Sequence, residues 1–246
     1  MTKPTGYVIY EGPSLLDGAP IVVVAISKSK NTKTANMVQT YILRADMDPR
    51  LANRTGADAA ICGTCPHRGT ANDNAAGLAT NRTCYVRIDQ GPLIVYKSYK
   101  RGLYPAAVGH KAIAAIGAGR MVRIGTYGDG AAVPGYIWDS LTGDAAGHTA
   151  YSHQSDNENA AFDANRYMVS ADSEKAAWSA WRQGARTFRV VWDASDIVKN
   201  KEILCPASAE AGYRTTCAKC KLCGGAAIAA KSIAIVAHGS GARNFA

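Results

Sequence analysis

MVRIGTYGDGAAVPGYIWDSL, residues 121–141, decides the fold class. It reads as a strand, a sharp turn through Gly125, Gly128, Asp129 and Gly130, and then a helix that YIWDSL continues. The same alternation repeats outward from it. Upstream, YVIY (7–10), IVVVAIS (21–27) and QTYILR (39–44) read as strands, and IVVVAIS is apolar on both faces. GPLIVYKSYKRGLY (91–104) and HKAIAAIGAGR (110–120) read as helices, the first with Pro92 in its opening turn. Downstream, HTAYSHQ (148–154), RYMVSAD (166–172), RTFRVVW (186–192), EILCPAS (202–208) and SIAIVAHG (232–239) read as strands. SEKAAWSAWRQGA (173–185) reads as a helix, with Ser173 as N-cap and Gly184 as its stop. Strands alternating with helices predict one α/β domain over residues 1–246. Its sheet should be mainly parallel, either open or a partial (βα) barrel, with a Cys-rich, metal-binding C-terminal segment. Ligands in such folds sit at the carboxyl ends of strands. The Gly125–Gly130 turn, Asp172, Cys205 and His238 should all fall there. Gly125, Gly128 and Asp129 are therefore the candidate cofactor contacts, although G-x-G-x-x-G is absent and a plain turn explains them equally well.

CPASAEAGYRTTCAKCKLCGG, residues 205–225, carries the chemistry. It holds Cys205, Cys217, Cys220 and Cys223, three of them as C-x2-C-x2-C and the fourth in a Cys-Pro pair. Four thiolates so grouped can close a tetrahedral zinc site or hold an iron–sulfur cube. Structural zinc usually takes its cysteines as two separated pairs, whereas a triple run with a remote Cys-Pro is nearer the ferredoxin pattern. Iron–sulfur is thus the first reading and zinc the second. A second group, at 62–84, comprises Cys62 and Cys65 in ICGTCPHRG and Cys84 in TCYV. Three thiolates could hold a cluster with one open iron, or take His67 as a fourth zinc ligand. Cys84 could also be a plain core cysteine. The two groups could share one centre. His148 and His153, five apart, do not share a strand face and are not read as a metal pair.

The 246 residues suffice for one sizeable core, and 47% apolar content excludes a disordered chain. No apolar run is long enough to span a bilayer. Glu11 and Asp17 interrupt the first 20 residues, where a signal peptide would have its apolar core. A reduced, intracellular setting leaves thiols free for metal. Charge is lopsided: residues 1–125 carry 16 Lys and Arg against 7 Asp and Glu, while residues 126–246 carry 12 of each. The surplus points to an anionic partner, nucleic acid or a small anionic substrate, and the lysines of KSKNTKTANM (28–37) could face phosphate. Ordinary solvated charge accounts for it as well. G-x-S-x-G, P-loop and H-E-x-x-H motifs are all missing, so no catalytic nucleophile declares itself.

GPSLLDGAPIVVVA (12–25), TANMVQTYILR (34–44), ICGTCPHRG with CYV, and the 205–225 segment together resemble a family of uncharacterised tailed-bacteriophage proteins, over about residues 11–239. That resemblance implies a product made in the cytoplasm of an infected bacterium. More distantly, cysteines at strand ends, the glycine-rich strand and VSAD look like the partial βα barrels of radical S-adenosylmethionine enzymes. The resemblance implies a [4Fe-4S] cluster and S-adenosylmethionine as cofactor. The C-x3-C-x2-C of those enzymes is replaced here by spacings of x2 and x18 between Cys62, Cys65 and Cys84.

Overall fold

The computed structural model describes residues 4–27, 34, 36–74 and 76–245. Most of the basic loop at 28–37 lies outside them. The first sheet has the order β1 (Gly6–Pro13), β2 (Pro20–Ile26), β3 (Val38–Arg44), β4 (Met121–Tyr127), β5 (Gly147–Thr149). β2 sits antiparallel between β1 and β3, which a short turn at 14–19 permits. Its residues 21–25 have no solvent exposure, so an all-apolar run is what this position demands. From β3 onward the pairing is parallel. A parallel neighbour needs a long crossover, and residues 45–120 provide it through α1 (Pro49–Thr55), α2 (Ala59–Cys62), α3 (Gly91–Lys100) and α4 (His110–Gly117). α1 starts where Asp48 accepts from the Arg50 amide ahead of Pro49, and stops at left-handed Gly56.

The helix after β4 is α5 (Gly135–Thr142). Its Trp138 is fully buried and donates its indole N–H to the Gly130 carbonyl at 2.9 Å, tying helix to turn. The second sheet follows with the order β6 (Tyr151–Ser152), β7 (Met168–Ala171), β8 (Thr187–Val191), β10 (Ser232–Val236), β9 (Glu202–Leu204), every pairing parallel. Only Ala150 separates β5 from β6, so one extended segment crosses from the first sheet to the second. α6 (Glu174–Arg182) connects β7 to β8, opened by Ser173, whose hydroxyl accepts from the Ala176 amide. The last short helix, α7 (Cys217–Cys220), lies in the excursion between β9 and β10.

The α/β class and the mainly parallel sheet expected from the sequence are what the chain forms. The antiparallel start is the exception, set by the short β1–β2 turn. Each sheet ends in edge strands among the described residues, so neither closes into a barrel. No helix among the described residues is long and apolar enough to cross a membrane.

Candidate metal centre

The carboxyl ends of β4, β7, β8, β9 and β10 open into one cavity of ≈ 380 Å³. All seven cysteines line it, and all seven are free thiols. They arrive from two sides. Cys62 ends α2, and its carbonyl receives the Gln154 side-chain amide at 3.2 Å. Cys65 follows one turn later, closed by its amide on the Cys62 carbonyl. Cys84 is brought back by its own amide and that of Thr83, which both bond the His67 carbonyl. Arg82 clasps the carbonyls of Cys84 and Val86 at 2.8 and 2.6 Å. Beneath them Asp58, almost fully buried, pairs with Arg68 at 2.7 Å and accepts from Asn53.

The other group rides on the second sheet. Cys205 extends β9, its amide bonded to the Ala234 carbonyl of β10. Cys217 and Cys220 sit on α7, one turn apart, and left-handed Lys221 swings the chain on to Cys223. The Ala150 amide bonds the Cys223 carbonyl, so this loop is fastened at the point where the chain changes sheets. Buried Arg186 holds the same loop through the carbonyls of Leu222, Gly225 and Lys231. Charge on Cys205, Cys217 or Cys220 would act on Cys223 and raise its thiol further.

Burial dominates the electrostatics. It pushes the Cys223 thiol up to about 12, against a hydrogen bond from Tyr151, and raises Cys84. Cys62 is pushed well above its ordinary value by burial and then by the negative groups Asp58, Cys65, Cys84 and Asp129. A thiolate at Cys62, Cys84 or Cys223 is therefore costly without a compensating cation. Burial opposes the charge on Arg123, and the neighbouring Tyr85, Tyr151, Cys217 and Cys223 favour it when they are ionised. Arg123 donates to the Tyr85 hydroxyl, while its Nε and the Tyr127 hydroxyl are buried without a hydrogen-bond partner.

The glycine turn lines the cavity too, but its side chains and tight contacts serve the chain itself. Gly128 has φ +83°, and a Cβ there would meet Ile42 Cβ at 2.8 Å; a Cβ on Gly125 would meet the Gly128 carbonyl at 2.6 Å. The close approach these glycines allow is to the protein's own chain. Asp129 is buried, and its carboxylate is occupied by the amides of Ala131 and His153 and the hydroxyl of Ser152. Gly125, Gly128 and Asp129 thus lie in the cavity wall and brace it through contacts within the chain.

No protein-family model, curated protein or solved structure matches this chain.

The two sequence-based ligand groups, Cys62, Cys65 and Cys84 and Cys205, Cys217, Cys220 and Cys223, line one shared cavity. Cys84 is on a loop at that cavity and half-buried. His148 is apart, its Nε2 bonded to the Arg166 carbonyl at 3.0 Å. His67 turns its Nε2 toward Asp172 and His153. That trio was missed, because its members come from three separate loops and no spacing announces them. Much of the amino-terminal cation surplus is turned inward or paired: Arg44 to Asp46, Arg50 to Asp48, Arg68 to Asp58, Arg87 to Asp89, and Arg120 to the carbonyls of Ser27 and Asn36.

Proposed function

We propose that the chain is an iron–sulfur protein whose cavity is an active site of the kind used with S-adenosylmethionine. The single observation that carries this is the gathering of its entire cysteine complement, seven reduced thiols, on one cavity at the carboxyl ends of parallel strands. The donor set fits. Thiolates are the ligands of iron–sulfur clusters, and buried thiols that resist ionisation alone are stabilised as thiolates by bound iron. The C-x2-C-x2-C run with a remote Cys-Pro is nearer the ferredoxin pattern than the two separated pairs usual for structural zinc, which favours a cluster.

Cys205, Cys217, Cys220 and Cys223 would hold one cluster completely. Cys62, Cys65 and Cys84 would hold another with one iron free of protein ligands. Such clusters supply single electrons, and an open iron can take the amino and carboxylate groups of S-adenosylmethionine. Arg123, near Cys217 and Cys223, would offset their negative charge. Tyr151 donates to Cys223, and the Gly125–Asp129 turn closes the wall against water. The test uses protein purified without oxygen and reduced. Adding S-adenosylmethionine should change its cluster EPR spectrum in the wild type and in Cys217→Ser, and leave Cys62→Ser unchanged. A wild-type spectrum indifferent to S-adenosylmethionine would refute the enzyme reading, and a colourless protein holding stoichiometric zinc would refute the cluster.

A further inference from the structure

At the rim of the cavity, His67, His153 and Asp172 bring one ligand atom each within 4.8 Å of the others. His153 Nε2 lies 2.9 Å from Asp172 Oδ1, and His67 Nε2 lies 3.4 Å from the same oxygen. The His67 ring is held from behind, and His153 has a further side-chain partner. The Nδ1 of His67 bonds the Thr83 hydroxyl at 2.7 Å, and His153 has the Cys65 side chain as a second hydrogen-bond partner. The main chain of His153 is fixed as well, its amide on Asp129 Oδ2 at 2.9 Å. The rings stand edge to face, their centroids 5.7 Å apart, and Phe245 stacks over His67. Both histidines are mostly covered, while Asp172 keeps 40% of its side chain exposed, so solvent reaches the meeting point.

We propose that this trio is a mononuclear divalent-metal site, distinct from the cysteine groups. Two imidazoles and a carboxylate with open positions are the donor set that takes Fe(II), Mn(II) or a similar borderline-to-hard cation. Oriented ring nitrogens with partners on the opposite nitrogen are the supporting pattern of such sites. Because none of the three ligands is a cysteine, the site does not depend on the cluster reading. A cation there would sit beside Cys65 and could present water or a substrate oxygen to the cavity.

The test is Mn2+ added to the full-length protein and followed by the EPR signal of the free ion. Mn2+ is chosen because thiolates compete poorly for it. The wild type and Cys217→Ser should each bind one Mn2+. Asp172→Asn, which alters a partly exposed side chain, should weaken binding at least 10-fold, as should His153→Gln. Thr83→Val, which removes only the support behind His67, should weaken it by about 10-fold or more. Absence of Mn2+ binding by the wild type would overturn the proposal. So would equal binding by wild type, Asp172→Asn and His153→Gln. Loss in Cys217→Ser with retention in Asp172→Asn would place the ion at the cysteines and overturn it too. The outcome is independent of cluster colour or iron content, so the two proposals fail separately.

Discussion

The two sheets are held together by different means. The first rests on a broad apolar core running from Ile9 through Val22, Ile42, Val122 and Trp138 to Tyr167. The second has a small cluster, Met168, Ala207, Ile233 and Ile235, in which Cys205 and Cys223 are themselves members. Burial of apolar surface is the chief stabilising term, at about 25 cal/mol per Å². A half with little of it needs another source of order. Part of that source is polar: buried Arg189 of β8 reaches across β10 to fully buried Glu202 of β9 with bonds of 2.9 and 2.6 Å. Such a pair fixes register more than it adds net stability. Metal binding to the thiols is the remaining candidate, so the second sheet should be the part whose order depends on it.

Stripping the metal should have the largest effect. Binding by structural thiolate sites is worth on the order of 10 kcal/mol in small domains. Hydrogen exchange of the stripped protein should show β8, β9 and β10 losing protection while β2, β3 and β4 keep theirs. Uniform loss across both sheets, or none, would break the contrast. Next comes Trp138→Ala, which opens a hole in the first core and should cost about 3–5 kcal/mol. Denaturant unfolding should show that cost equally with and without metal, because Trp138 is not among the residues that line the cysteine cavity. A cost that depends on metal would mean that the halves are not energetically separate.

The smallest effect is in pH, and it sharpens the same contrast. In metal-free protein the Cys223 thiol is pushed up to about 12 from an ordinary 9.0. As pH rises past 9.0, the unfolded chain loses this proton while the folded chain keeps it. The unfolded state then binds fewer protons, and stability falls from there toward pH 12, with no contribution below pH 9. Melting temperatures across that window should decline for the stripped wild type and decline less for Cys223→Ala. Metal-loaded protein, with the thiol already ionised by its metal, should lack this component.

Most of the fold was legible because strand and helix periods are local properties. IVVVAIS could be read as a strand buried on both faces, and Ser173 as a helix cap, from the residues alone. The antiparallel opening was not, since direction depends on how the 14–19 turn closes. The cysteine groups were legible because two-residue spacing confines neighbouring thiols. That both groups face one cavity follows from strand order, which spacing does not encode. Gly125, Gly128 and Asp129 carry the residue types of a ligand loop, and here those types also satisfy the close pass of β4 against Ile42 and the amides around His153. His67, His153 and Asp172 stayed hidden for the same reason as the shared cavity: they meet only after folding.

Iron and acid-labile sulfide per chain, measured on protein purified without oxygen, tests most directly whether the thiols hold clusters. The expected result is about eight irons with equal sulfide, falling to about four in Cys217→Ser. Iron-free protein without sulfide, in the presence of a supply of both, would contradict it.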